Sequence, residues 1–127
     1  MKTLTKEWIK KADADHTTAV RELRARRNPN YDAACFHSQQ CTEKYLKATL
    51  QEKNIQFGKT HNLCSLLDLL VIDFPLFETL RSSLISLNSY AIDFRYPGES
   101  ADKELASAAV KLCSMVRKEI RIALRLK

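Results

Sequence analysis

The sequence predicts an all-α fold: an antiparallel up-down four-helix bundle with an additional short helix. Two observations carry this. Apolar residues recur at helical spacing through most of the 127 residues, and the chain's 2 glycines and 3 prolines fall in the gaps between those periodic stretches. A fold of many hairpins needs turn-forming residues far more often. The length suits a single domain over residues 1–127 with one hydrophobic core.

The first helix is expected from Leu4 to Arg27, on the one-sided spacing of Leu4, Trp8, Ile9, Ala12, Ala19, Val20 and Leu23. Asn28-Pro29-Asn30 ends it, and Asn30 or Asp32 is placed to cap the second helix, Tyr31 to Lys53. One broad face of that helix carries Ala34, Cys35, Ser38, Cys41, Thr42, Tyr45 and Leu46, and the small residues that recur on it let a neighbour approach closely. The opposite, polar face carries Phe36, His37, Gln40, Glu43, Lys44, Lys47 and Gln51.

Thr60 is a natural N-cap for a short helix from His61 to Ile72, buried through Leu63, Leu66, Leu67 and Leu70. Pro75 sits where the next helix can begin, and Phe77, Leu80, Leu84, Leu87, Ala91 and Phe94 supply its core face up to an end near Asp93. Tyr96-Pro97-Gly98-Glu99 reads as a type II turn, with proline fixing φ at the second position and glycine permitting positive φ at the third. Ser100 is placed to cap the last helix, with Asp102 and Glu104 in its first turn and Leu105, Ala109, Leu112, Val116, Ile120 and Ala123 along its seam.

Composition narrows the function classes. Hydrophobic residues make up 45% and charged residues 28%, a globular balance. The stretch from Met1 to Lys11 has no apolar core of a secretory signal, and no run approaches the roughly 18 apolar residues of a membrane span, so a cytoplasmic protein is expected. The 4 cysteines form no C-x-x-C pair and read as reduced, mostly buried thiols. The net charge of +6 is patchy, with Arg21, Arg24, Arg26 and Arg27 in one cluster and Arg117, Lys118, Arg121, Arg125 and Lys127 in another. Cations favour helix C-termini, where both clusters fall; an anionic partner is the other reading.

No nucleophile elbow, phosphate-binding loop or dinucleotide fingerprint occurs. His16 reads as a packed or edge residue, and Asp13 with Asp15 as a solvated helix face. His37 with Cys41 and His61 with Cys64 have the spacing of zinc ligands, yet both cysteines also fit core positions. No cofactor is expected. The polar face of the second helix, with a Glu43–Lys47 pair four residues apart beside Phe36, reads either as a solvated face or as a contact surface. Arg95 and Tyr96 are placed at a helix end where an Arg–aromatic pair can grip a phosphate and stack a base; alternatively, Tyr96 packs on the bundle end.

Taken together, the run from Tyr31 to Ala48, then Thr60-His61-Asn62-Leu63 with Leu66-Leu67, then Arg95-Tyr96-Pro97, resembles the HEPN domain family. Order and spacing fit over nearly the whole chain. The resemblance implies a helical bundle, often a homodimer, partnered with a minimal nucleotidyltransferase, frequently as a toxin–antitoxin pair. Many such proteins are metal-independent ribonucleases carrying an Arg and, four to six residues further on, a His near the start of the last helix. Here the last histidine is His61, so nothing after Arg95 supplies the proton-transfer group that RNA cleavage needs. The resemblance therefore implies no catalytic residue and a ligand- or partner-binding surface of Glu43, Lys44, Lys47, His61, Arg95 and Tyr96. Two alternatives stand beside it: a ribonuclease toxin with a displaced site using His37 or His61 with Arg95, and a structural adaptor.

Overall fold

The computed structural model describes residues 1–94 and 96–126, with residues 91–93 described by their helical backbone only. Among the described residues there is no strand. The order is α1 (Thr3–Arg24), α2 (Tyr31–Glu52), α3 (Leu63–Leu70), a 3-10 helix over Pro75–Leu80, α4 (Arg81–Asp93) and α5 (Lys103–Ala123). Four long helices and one short one form the bundle that the periodicity predicts.

The differences lie at the ends. Helix α1 stops at Arg24 rather than Arg27, because Pro29 has no N–H to give the Ala25 carbonyl; Ala25 turns extended and Asn28 takes a φ of 50°. Asn30 caps α2, its Oδ1 accepting from the Ala33 N–H at 2.9 Å. Helix α3 begins later than predicted: Asn62, not Thr60, is its cap, with Oδ1 accepting from the N–H groups of Cys64 and Ser65. Asparagine caps better than threonine, and the Thr60 hydroxyl accepts from the Asn62 N–H instead. His61 consequently lies outside the helix.

Pro75 opens a 3-10 turn, and the α-helix proper starts at Arg81. Asp102, rather than Ser100, caps α5 by accepting from the Leu105 N–H at 2.8 Å. The Tyr96–Glu99 turn forms as read, with the Glu99 N–H on the Tyr96 carbonyl at 3.2 Å and Gly98 at a φ of 94°.

Chain direction follows from the side-chain pairs. Lys2 and Thr5 reach Glu52, Trp8 lies under Lys47, and Asp15 meets Lys44 and His37, so α1 and α2 run antiparallel. Asp13 meets Arg117 and His16 meets Ser114, so α1 and α5 are antiparallel as well. Helices α2 and α5 are parallel and pack against each other, with Cys41 meeting Cys113 and with the small residues Ala34, Cys35, Ala106 and Ala109 fully buried.

Helix α2 is thus the central post, touched by α1, α3, α4 and α5. It buries 13 of its 22 residues, against 5 of 22 in α1. This overturns the two-faced reading of α2. Glu43 and Lys47 are buried with Gln39, while Phe36 is exposed and Lys44 is half-buried. Two smaller corrections concern the apolar seams. Leu4 is 54% exposed, and on α5 Ala109, Val116 and Ile120 are buried as read, but Ala106, Val110 and Cys113 are buried with them while Leu105 and Leu112 are half-buried.

Candidate functional site

Three polar clusters run along the flanks of α2, each built on a carboxylate, one from α2 itself and two from α1. The first is centred on Glu43. Its Oε2 holds the Lys47 ammonium at 3.1 Å, and its Oε1 accepts from His61 Nδ1 at 3.0 Å. Gln39 donates to the same Oε1 at 3.5 Å and to the His61 carbonyl at 3.1 Å, tying the loop before α3 to the helix. The Lys47 ammonium also lies 5.7 Å from the centroid of the Trp8 ring, which meets Phe57 edge-on.

The exposure within this cluster is uneven. The Glu43 and Lys47 side chains are 4% and 8% exposed, whereas His61 is 77% exposed. A buried ion pair therefore anchors a histidine that stands in solvent. Among the described residues its Nε2 has no partner. A carboxylate on Nδ1 sets the ring orientation and tautomer, which leaves Nε2 as the free hydrogen-bonding edge.

The second cluster is centred on Asp15, nearly buried on α1. Its Oδ1 accepts from His37 Nδ1 at 2.8 Å and its Oδ2 from the Lys44 ammonium at 2.5 Å. The third is centred on Asp13, which accepts from the Tyr45 hydroxyl and from Arg117 Nε at 3.0 Å. Arg121 donates to the Tyr45 hydroxyl at 3.1 Å and lies 3.6 Å from the second Asp13 oxygen. Burial, followed by the bond to Asp13, pushes the Tyr45 phenol up to about 12. Beside this cluster His16 shares a hydrogen bond with Ser114 at 2.9 Å, and burial followed by the Arg117 charge lowers its pKa.

The reading of Asp13 and Asp15 as a solvated face is thus overturned. Both occupy seam positions on α1: Asp15 falls in the register of Trp8, Ala12 and Ala19, and Asp13 in that of Ile9, His16 and Val20. An acid in an apolar register was the available signal that it meets a partner. Gln39, Tyr45, Trp8 and Arg117 also join these clusters without having been singled out.

Of the six residues assigned to a binding surface, the structure joins Glu43, Lys47 and His61 directly and places Lys44 in the neighbouring cluster. Tyr96 stands apart in its turn at 66% exposure, which overturns its packing on the bundle end. Arg95 lies outside the described residues. The zinc spacing is not realised as a site: Cys41 sits in the core against Cys113, Cys64 accepts from Asn88, and among the described residues no three His, Cys, Asp or Glu side chains converge for a metal. The hydrogen bond to Cys113, together with burial, pushes the Cys41 thiol well up, so it is no nucleophile. No described helix is long and apolar enough to cross a membrane.

An antiparallel bundle around one buried central helix, with polar residues gathered along its seam, defines a class of helical domain rather than a chemistry. The family model described as "HEPN domain" matches residues 5–123, and the chain belongs to that family. Among solved structures, the fold is similar to that of an archaeal HEPN homologue, with a TM-score of 0.70, 20% identity, and 95% of this chain and 97% of the other covered. No curated protein sequence matches the chain significantly.

Proposed function

We propose that this HEPN-domain chain is a nucleotide- or RNA-associated module that works with a minimal nucleotidyltransferase partner, as in toxin–antitoxin pairs, and acts as a homodimer in the cytoplasm. The observation that carries the reading is the His61 edge of the Glu43 cluster: an exposed imidazole held on a buried carboxylate. Buried anchors with exposed heads suit recognition, because the head is oriented without the entropy cost of freezing a free side chain. No histidine follows Arg95, so the proposed module has no Arg–His pair for ribonuclease chemistry.

Co-expression with the neighbouring reading frame, followed by size-exclusion chromatography, tests the reading. A stable complex weakened by His61→Ala and Tyr96→Ala is the expected result. Failure to form a complex, with no nucleotide heat in calorimetry, overturns it.

One observation favours a second reading, a ribonuclease with a displaced site: a carboxylate-oriented histidine is a suitable general acid–base group. RNA cleavage by clean protein, abolished by His61→Gln, would establish that activity. Intact RNA after prolonged incubation rejects it.

A further inference from the structure

The 3-10 helix and the last turns of α5 enclose a groove of about 540 Å³. Its floor belongs to the core, since Phe77 and Leu80 are buried. Its rims do not. Leu76 on the 3-10 side is 83% exposed, and Ile122 on the α5 side is 60% exposed. The volume falls within the roughly 300–1,000 Å³ of binding pockets.

Local winding produces the opening. Pro75 starts a 3-10 helix, which repeats every three residues. Phe77 and Leu80 therefore share one line, toward the core, and Leu76 falls off it. On α5 the buried line runs through Val116 and Ile120, and Ile122, two residues further on, is turned away from it. The turn that forms the 3-10 wall is held in place. Phe74 stacks on Phe77 with ring centroids 4.8 Å apart, its N–H donates to the Leu70 carbonyl at 2.8 Å, and its carbonyl accepts from the Phe77 N–H at 2.9 Å. Single exposed apolar residues are ordinary on a protein surface. Two from separate elements that line one preformed apolar groove are the pattern of a docking site.

Charge selects the occupant. The chain carries +6 overall, yet the charged side chains among the described lining residues are both acids, Asp73 and Glu119. Lys118 on α5 and Arg125 after it lie outside the lining, and Lys53 is held 5.3 Å from the centroid of the Phe74 ring. A nucleic acid or an anionic lipid surface would meet two carboxylates at this mouth, whereas a basic segment finds its partners there.

We propose that this groove docks a short amphipathic helix of a protein partner, with a large apolar side chain seated between Leu76 and Ile122 and a lysine or arginine one turn away reaching Asp73 or Glu119. The docking needs neither the nucleotidyltransferase partner nor the His61 edge, which shares no residue with the groove.

The test uses the full chain and fluorescently labelled helical peptides, read by anisotropy. One peptide carries leucines at helical spacing along one face with lysines beside them; a second has glutamates for the lysines, and a third serines for the leucines. Leu76→Ser/Ile122→Ser is compared with Leu4→Ser/Ile85→Ser, which removes exposed apolar side chains elsewhere. Both pairs lie on the surface, so their circular dichroism and thermal unfolding should match the parent. Asp73→Asn/Glu119→Gln removes the charge and leaves the apolar groove.

The lysine peptide is expected to bind, and the glutamate and serine peptides to bind at least tenfold more weakly. Leu76→Ser/Ile122→Ser should weaken the lysine peptide at least tenfold while the control pair does not, and Asp73→Asn/Glu119→Gln should weaken it and remove most of its salt dependence. Absence of binding by the lysine peptide overturns the proposal. So does equal weakening by groove and control variants, or equal binding of the lysine and glutamate peptides. A dimer that dissociates on Leu76→Ser/Ile122→Ser in sedimentation, with no peptide bound by the parent, makes the groove a contact between copies and likewise overturns it.

Discussion

Replacing Glu43 probes the buried pair on which the His61 edge depends. With the carboxylate gone, the Lys47 ammonium stays 8% exposed and keeps only the Trp8 ring, 5.7 Å away, as a compensating group. Leaving one partner of a buried pair uncompensated costs about 3–5 kcal/mol, and a desolvated cation–π contact returns about 2 kcal/mol at most. Glu43→Ala should therefore destabilise the chain by roughly 1–3 kcal/mol after the full offset, with some further loss from the volume removed. The double variant Glu43→Met/Lys47→Met removes both charges and fills the space, so it should lie within about 1 kcal/mol of the parent or above it. Urea unfolding followed by circular dichroism measures Glu43→Ala and the cycle of parent, Glu43→Met, Lys47→Met and the double variant, and only midpoint shifts at constant slope count as stability changes. A Glu43→Ala loss below about 1 kcal/mol, or a coupling energy near zero, would refute the reasoning, because the ammonium would then have found water.

Three further outcomes follow from the geometry. Burial and Arg117 depress the His16 pKa from 6.5, so the unfolded chain takes up the proton first as pH falls; stability is complete above about 6.5 and declines below it toward the folded pKa, and His16→Gln should flatten that slope in urea midpoints taken between pH 5 and 8. Gly98→Ala should cost about 1 kcal/mol or more in thermal unfolding, entirely from backbone strain at a φ of 94°, since no atom lies within 4 Å of the added Cβ. Of the four free thiols only Cys64 is partly exposed, so a thiol reagent should show one fast phase, absent in Cys64→Ser, while Cys35, raised to about 11 by burial and then by Asp32 and Asp102, stays protected until the fold opens.

Much of the fold was legible because helix signals are local. The 3.6-residue period, the Asn30 cap and the Pro–Gly turn each depend on a few neighbouring residues, and α2 appears where those signals place it, while α1 ends three residues early and α4 begins as α-helix six residues late. The caps of α3 and α5 slipped by two residues each. Thr60 and Ser100 were chemically able to cap, but Asn62 and Asp102 were better placed and better acceptors. The 3-10 start at Pro75 left no mark in the periodicity, since Phe77 and Leu80 suit both geometries.

The candidate site was only half legible. Glu43 and Lys47 are four apart on a helix, and that spacing names the pair without saying whether water surrounds it. His61 was assigned to the same surface by resemblance alone, and the Asn62 cap is what lets the preceding loop carry it back to Glu43.

The sequence by itself determined that this chain is a helical bundle and to which family it belongs, because those properties reside in short-range patterns and their order. Only the tertiary structure decided what α2 is. Its wheel has a polar face, yet α1, α3, α4 and α5 surround it, so a stripe that reads as solvated becomes a buried ion pair, and acids that read as surface become the partners of His37, Lys44, Tyr45 and Arg117. Burial depends on how many neighbours a helix acquires, and no periodicity within that helix records their number.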